Sequence, residues 1–420
     1  MNSSTTPPVP LTLFSAYQKR VVGLLAFLQF AVILDFMLMS PLGALIIPSM
    51  SISTQQFGWA VSAYAFSAGL SGLLTAGFAD RFDRKKILMF FYTGFIIGTF
   101  WCGMVDNFTS LLMARIVTGL FGGVIGSVVM AIAADLYAPQ LRGRVIGLIQ
   151  TAFGASQVLG IPFGLYLSNR WDWHVPFFAM AGLGLVGGVI VALTMKPVTA
   201  HLSIPQEHSP WMHLYHTVTE PRYLLAFAAV SLLSTGGFML MPFSSAFIVN
   251  NLGVSFHDLP TLYLVTGIAS FMFGPLIGKA SDKYGKFEVF TVGCLTSIVM
   301  VLIYTHLHTI PLVGLIVVNV LLFTGIFARM IPFQAMMSTV PTPVQRGSFS
   351  SISSSIQQLS GGLASAIAGQ VVSFGADGKL QHFDILGYII VATSLTTFVL
   401  LWAMKRSHAI EAVAKVMAPS

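Results

Sequence analysis

The sequence predicts an all-α membrane protein with twelve transmembrane helices in two pseudo-symmetric six-helix bundles. Three observations carry that prediction. Hydrophobic residues fill 55% of the 420 positions and charged residues only 8%, against roughly 25% charged in ordinary soluble chains. Twelve apolar runs are each long enough to cross a bilayer, which takes about 20 residues. Short sequence echoes also recur at a constant offset, 238 − 36 = 202 residues. With 21 basic and 14 acidic side chains, the chain cannot clothe a soluble globule of this length, which excludes a soluble enzyme. Cys102 and Cys294 stand alone inside apolar runs, so neither a disulfide framework nor a zinc site is indicated.

The runs fall near 21–48, 57–79, 87–105, 108–136, 145–167, 176–195, 223–249, 259–280, 288–305, 311–337, 348–374 and 384–404. The first is longer than a secretory hydrophobic region and lacks a small-residue cleavage site, so it is read as a retained span. Placing both chain ends in the cytoplasm sends Lys19, Arg20, Arg81, Arg84, Lys85, Lys86, Arg142, Arg144, Lys196, Arg222, Lys279, Lys283, Lys286, Arg346, Lys405, Arg406 and Lys415 to that side. Only Arg170 and Lys379 fall on the other, and an excess of cytoplasmic Lys and Arg is what sets topology. Trp59, Trp101, Trp171, Trp173 and Trp402 lie near predicted helix ends, as interfacial aromatics do. The net charge of +7 therefore reflects membrane orientation, and nucleic acid is not an expected partner.

Phe36-Met37-Leu38-Met39 recurs as Phe238-Met239-Leu240-Met241, and Asp80-Arg81-Phe82-Asp83-Arg84 is echoed by Asp282-Lys283-Tyr284-Gly285-Lys286. Both echoes land on matching spans, so the chain divides into two similar halves. Residues 1–20 form an N-terminal tail, 21–195 one bundle, 196–222 a Pro-rich cytoplasmic linker, 223–404 the second bundle and 405–420 a C-terminal tail. Repeated bundles with a solute site at their interface are a transporter architecture.

Several motifs strengthen that expectation. Ala76-Gly77-Phe78-Ala79-Asp80-Arg81-Phe82-Asp83-Arg84-Lys85-Lys86 resembles the loop signature G-x-L-A-D-R-x-G-R-K of the major facilitator superfamily, with a weaker partner at 278–286. Arg115-x-x-Thr118-Gly119 resembles that superfamily's R-x-x-Q-G motif. Gly154, Gly160, Pro162 and Gly164 in span five resemble the glycine-proline motif of its proton-driven antiporters, although Gly160-x-Pro162-x-Gly164 is closer to the branch holding sugar, nucleoside and drug exporters. The resemblance implies proton-coupled efflux of amphipathic or cationic compounds, including multidrug efflux, through the inner membrane of a prokaryote. Export of a specific metabolite such as a sugar, nucleoside or siderophore is the alternative. It further implies that Asp80, Arg81 and Arg84, with Asp282 and Lys286, latch the two halves on the cytoplasmic side, joined by Arg144 and Arg346.

Of the fourteen acidic residues only Asp35 lies well inside a span. A carboxylate there costs roughly 2.5 to 3.5 kcal/mol on insertion scales, so it marks a functional site. At about 1.5 Å per residue, Asp35 in span one and Arg115 in the opposed span four both fall about 9 Å below the outer face, and the two charges can meet. Burial favours a neutral carboxyl and a guanidinium favours a carboxylate, so a movement that separates them acts as a proton switch. The plain alternative is a permanent ion pair, for which buried pairs offer little thermodynamic reward.

Arg329, near Pro332 at the cytoplasmic end of span ten, is expected to snorkel to the headgroups. The span-five glycines are expected to serve helix packing more than a hinge. Span eleven carries an unusual density of Ser and Gln for a helix facing lipid; Ser354, Gln357 and Gln358 are expected to line a cavity with Met39, Gln150 and Gln157. His213-x-x-His216 and His306-x-His308 lack further ligands at metal spacing, so no metal site is expected. No P-loop is present, which leaves the proton as the expected coupling ion with no cofactor. The partners expected are a small-molecule substrate and the lipid bilayer, with the protein a monomer.

Overall fold

A computed structural model describes residues 14–75, 81–203, 216–342 and 345–417. Span one is Ala16–Leu38. It starts ahead of position 21 because Ser15 and Gln18 close a capping box: the Ser15 hydroxyl accepts from the Gln18 amide at 3.1 Å, and the Gln18 side chain accepts from the Ser15 amide at 3.0 Å. The expected continuation to 48 is interrupted. Pro41 cannot continue a helix, since its ring crowds the carbonyl four residues back; the chain turns and resumes as the short helix Gly43–Ser49.

Spans two, three and four are Thr54–Thr75, Arg84–Cys102 and Phe108–Leu136. Asp83 starts span three by accepting from the Lys85 amide, and Asn107 starts span four by accepting from the Ser110 amide, both at 2.9 Å. Span five is three pieces: Pro139–Ala155, a π-helical turn Ser156–Gly160 and Ile161–Arg170. The wide turn sits directly ahead of Pro162, which has no amide hydrogen to give to an α-helical ladder. Span six is Val175–Thr194.

Spans seven to twelve follow as Pro221–Asn250, Leu259–Tyr284, Lys286–Thr305, Leu312–Met337, Arg346–Val371 and Phe383–Met417. Gly285 alone joins spans eight and nine, at φ +106°, a backbone setting that favours glycine. The second signature segment is therefore a helix end rather than a loop. A small hairpin, Ser373–Phe374 with Leu380–Gln381, sits between spans eleven and twelve, and Asn251 ties it to span seven through two 2.8 Å hydrogen bonds with Leu380.

Among the described residues, ten helices are long and apolar enough to cross a membrane. The two further long helices are span three, which opens with Arg84-Lys85-Lys86, and span eleven, rich in Ser and Gln. Both are packed into the bundles, against spans four and two respectively.

The halves meet along two seams, span two on span eleven and span five on span eight. Small residues let the backbones touch. A Cβ on Gly58 would lie 2.9 Å from the Ser365 carbonyl, one on Gly369 2.8 Å from the Thr54 carbonyl, and one on Gly267 2.9 Å from the Gln157 carbonyl. Thr54 Oγ1 donates to the Val372 carbonyl at 2.7 Å, Ser62 Oγ to the Gly362 carbonyl at 2.7 Å and Ser245 Oγ to the Ser40 carbonyl at 3.1 Å. These bonds close the end of the molecule away from the basic loops, here the far end. Toward the basic end a cavity opens between the halves, reaching Met130, Ile146, Gly347 and Ser350. The echoed aromatics meet between the halves, where the Phe36 and Phe238 ring centroids are 5.4 Å apart.

Candidate functional site

Span one brings Asp35 to within a turn of its own end, and span four carries Arg115 in from the far side, seven residues after Phe108. Both side chains are 0% exposed, and Arg115 Nη1 donates to Asp35 Oδ2 at 2.9 Å. Thr99 of span three donates to Asp35 Oδ1 at 3.1 Å. The guanidinium lies 4.5 Å from the centroid of the Tyr64 ring, a cation–π contact. Arg115 Nε and Nη2 have no acceptor among the described residues. One carboxylate thus holds one arm of a buried guanidinium, and the rest of that cation is solvated by an aromatic face.

A cavity of about 990 Å³ lies beside this pair, between the halves and open at the basic end. Gln150, Gln157, Ser354, Gln357 and Gln358 line it. Met39 does not: with span one ended at Leu38, its side chain turns into the core at the far end and is fully buried. Met37 and Met241 line the cavity in its place. Asp35 and Arg115 stand behind the wall. Tyr64 joins the two, with its ring on Arg115 and the same ring in the lining. Neither Tyr64 nor Gln29, another lining group, stands out in the sequence, because one polar atom in an apolar run sets no pattern.

Arg329 overturns its expected place. It is 4% exposed and lines the cavity, with Nη1 donating to Ser394 Oγ of span twelve at 2.6 Å. Snorkelling would need a path to the headgroups; here spans nine and ten touch backbone to backbone, a Cβ on Gly293 standing 2.5 Å from the Arg329 amide nitrogen, and the side chain faces the cavity.

The loop cluster is organised within one half. Asp80 lies outside the described residues. Arg84 is buried, and its Nε donates to Asp135 Oδ2 at 3.1 Å. Asp83 Oδ1 accepts from the Val198 amide at 2.9 Å, and His201 stands 3.3 Å from the same Asp135 oxygen. The loop is thereby pinned to the end of span four and the start of the linker. Arg81, Arg144, Asp282 and Arg346 are exposed, and Lys286 is half-buried. Among the described residues no hydrogen bond or ion pair joins these groups across the halves, in keeping with the open basic end. Nothing in the sequence pattern singles out Asp135 as the Arg84 partner: it lies 51 residues on, one residue before the end of span four.

The span-five motif packs on span one. A Cβ on Gly160 would lie 2.5 Å from Leu34, one on Gly164 2.6 Å from Leu38, and one on Gly154 3.1 Å from Phe271 of span eight. Pro162 follows the π turn, so the motif combines close contact with a local widening next to the helix that carries Asp35.

The Major Facilitator Superfamily model matches residues 25–365. The "Uncharacterized MFS-type transporter YceJ" of Bacillus subtilis is 27% identical over 378 residues, covering 88% of this chain and 93% of that protein. "Multidrug resistance protein 3" of the same organism is 26% identical over 149 residues, 36% of this chain and 29% of that protein. Among solved structures, a bacterial homolog to the human lysosomal transporter Spinster, inward-facing and unoccupied, superposes with a TM-score of 0.69 at 18% identity, covering 93% of this chain and 96% of that one. The chain belongs to the Major Facilitator Superfamily and is a multi-pass membrane transporter of small molecules rather than an enzyme.

Proposed function

We propose that the protein exports small amphipathic organic compounds in exchange for protons, by alternating access about the central cavity. The observation that carries this is the fully buried Asp35–Arg115 pair, separated from the cavity by one aromatic side chain. The excess of Lys and Arg at the open end supports a cytoplasmic assignment for that end and for both termini, in an inner or plasma membrane. The cavity then faces the cytoplasm here, with Asp35 held by Arg115 in a geometry suited to the carboxylate.

The cycle follows from the two seams. When the halves rock and the far end opens, water reaches span one and loosens the pair; Asp35 takes a proton from outside, forming an O–H bond. When the far end closes, Arg115 returns to the carboxyl oxygen and the proton leaves toward the cytoplasm. Arg115, which keeps its charge throughout, biases that release. Gly58, Gly369 and Gly267 support the rocking by keeping the seams thin, and the exposed Arg144, Asp282 and Arg346 are placed to latch the basic end with the loop signature once it closes. The cycle uses the proton as its coupling ion and runs in a single chain.

The likeness to a multidrug resistance protein over 149 residues supports the amphipathic class. No carboxylate lines the cavity among the described residues, which disfavours a cationic solute. The Gln and Ser groups of spans five and eleven favour a second reading, efflux of one polar metabolite such as a sugar, nucleoside or siderophore. Proteoliposomes holding a pH dye, challenged with amphipathic and polar solutes with and without an imposed pH gradient, separate the two. Gradient-driven movement of amphipathic solutes that is lost in Asp35→Asn is expected. Normal gradient-driven transport in that variant would remove Asp35 from the coupling role.

A further inference from the structure

The cavity has an unbalanced charge. Among its described lining residues, Arg329 is the one formally charged side chain. It is buried, forms no ion pair with a described residue, and spends only Nη1 on a neutral partner, the Ser394 hydroxyl at 2.6 Å. Nε is buried without an acceptor, and Nη2 makes no hydrogen bond to a described residue. Nε and Nη2 together form the side-on edge of a guanidinium, the two-donor fork that matches a pair of anionic oxygens. The neighbouring position keeps that edge open: Gly236 lines the cavity, and a Cβ there would stand 3.4 Å from Nη2.

A buried cation left unpaired is costly, and no described residue repays the cost. Arg115 shows how this chain pairs a buried arginine when the role is internal, with Asp35 on one side and Tyr64 on the other. Arg329 has no such partner, and its free edge belongs to a cavity large enough for a drug-sized solute. We propose that Arg329 is the recognition point for an acidic head group: the transported solute carries a carboxylate, sulfonate or phosphate whose oxygens take the Nε–Nη2 edge, while its apolar body rests among the aromatic and methionine residues near Phe238. This deepens the transport reading by naming the charge class of the solute, and it rests on that cavity being the solute site.

The test measures binding, without a gradient, to the full chain in lipid nanodiscs. The probes are 1-naphthalenesulfonate, the neutral 1-naphthalenesulfonamide and 1-naphthylmethylammonium, which share a ring system and differ in head-group charge. The sulfonate is expected to bind about tenfold or more tighter than the amide, with the ammonium weakest. Arg329→Gln is expected to erase the preference while sulfonamide affinity stays within about twofold. Arg329→Lys, which keeps the charge and loses the fork, should fall between. Should Arg329→Gln fail to fold, Gly236→Val covers the same edge and is expected to lose sulfonate binding selectively. Equal affinity for the three probes, no binding of any of them, preference for the ammonium, or an acid preference surviving Arg329→Gln or Gly236→Val would overturn the proposal. Because this binding needs no proton movement, Asp35→Asn is expected to keep the preference, so failure of proton coupling and failure of head-group recognition are read separately.

Discussion

The two intramembrane arginines occupy opposite situations. Arg115 sits behind the cavity wall toward the sealed far end, held by Asp35 and covered by Tyr64. Arg329 sits in the wall of the open cavity, with a serine hydroxyl as its hydrogen-bond acceptor. Burial alone therefore does not tell a coupling residue from a recognition residue. The partner does: a carboxylate supplied by the same chain makes an internal switch, and an empty fork facing a cavity makes a receptor for an outside charge. The contrast extends to the two ends, since the far end is zipped by backbone-close glycines and the basic end is spread.

Substitutions at the two arginines should differ most. Arg115→Leu leaves Asp35 buried without its counter-charge and is expected to cost about 3–5 kcal/mol in detergent unfolding, whereas Arg329→Leu removes a charge that no described residue balances and is expected to leave stability unchanged or raised. Equal losses would dissolve the distinction. At the far end, Gly58→Val pushes a side chain into the Ser365 carbonyl and the Gly369 backbone. It is expected to destabilise the closed seam by about 1–3 kcal/mol and to raise the labelling of cysteines placed there. Unchanged labelling would show that the glycine seam does not hold the far end shut. The smallest effect belongs to the basic end: Ser15→Ala removes the cap of span one for about 1 kcal/mol, and far-end labelling should stay the same.

Much of this was legible in the sequence, within limits set by what a pattern encodes. Apolar length gives depth in the membrane, so depth arithmetic placed Asp35 and Arg115 at one level, and the structure sets them 2.9 Å apart. Depth says nothing about which way a side chain points around its helix. Depth alone therefore sends Arg329 to the headgroups although it faces inward, and Met39 to the cavity although span one ends at Leu38 and its side chain turns away into the core. The Ser and Gln residues of span eleven were readable as cavity lining because their density alone is incompatible with lipid. The partner of Arg84 was not, because Asp135 lies 51 residues on and is brought back only by the packing of spans three and four.

Proton-coupled export requires that the Asp35 carboxyl gain and lose a proton. Infrared difference spectra of the reconstituted protein between acid and alkaline pH test it most directly, because a protonated buried carboxyl has its own stretching band. Such a band is expected in the wild-type difference spectrum, together with its loss in Asp35→Asn. Identical difference spectra from the two proteins would contradict it.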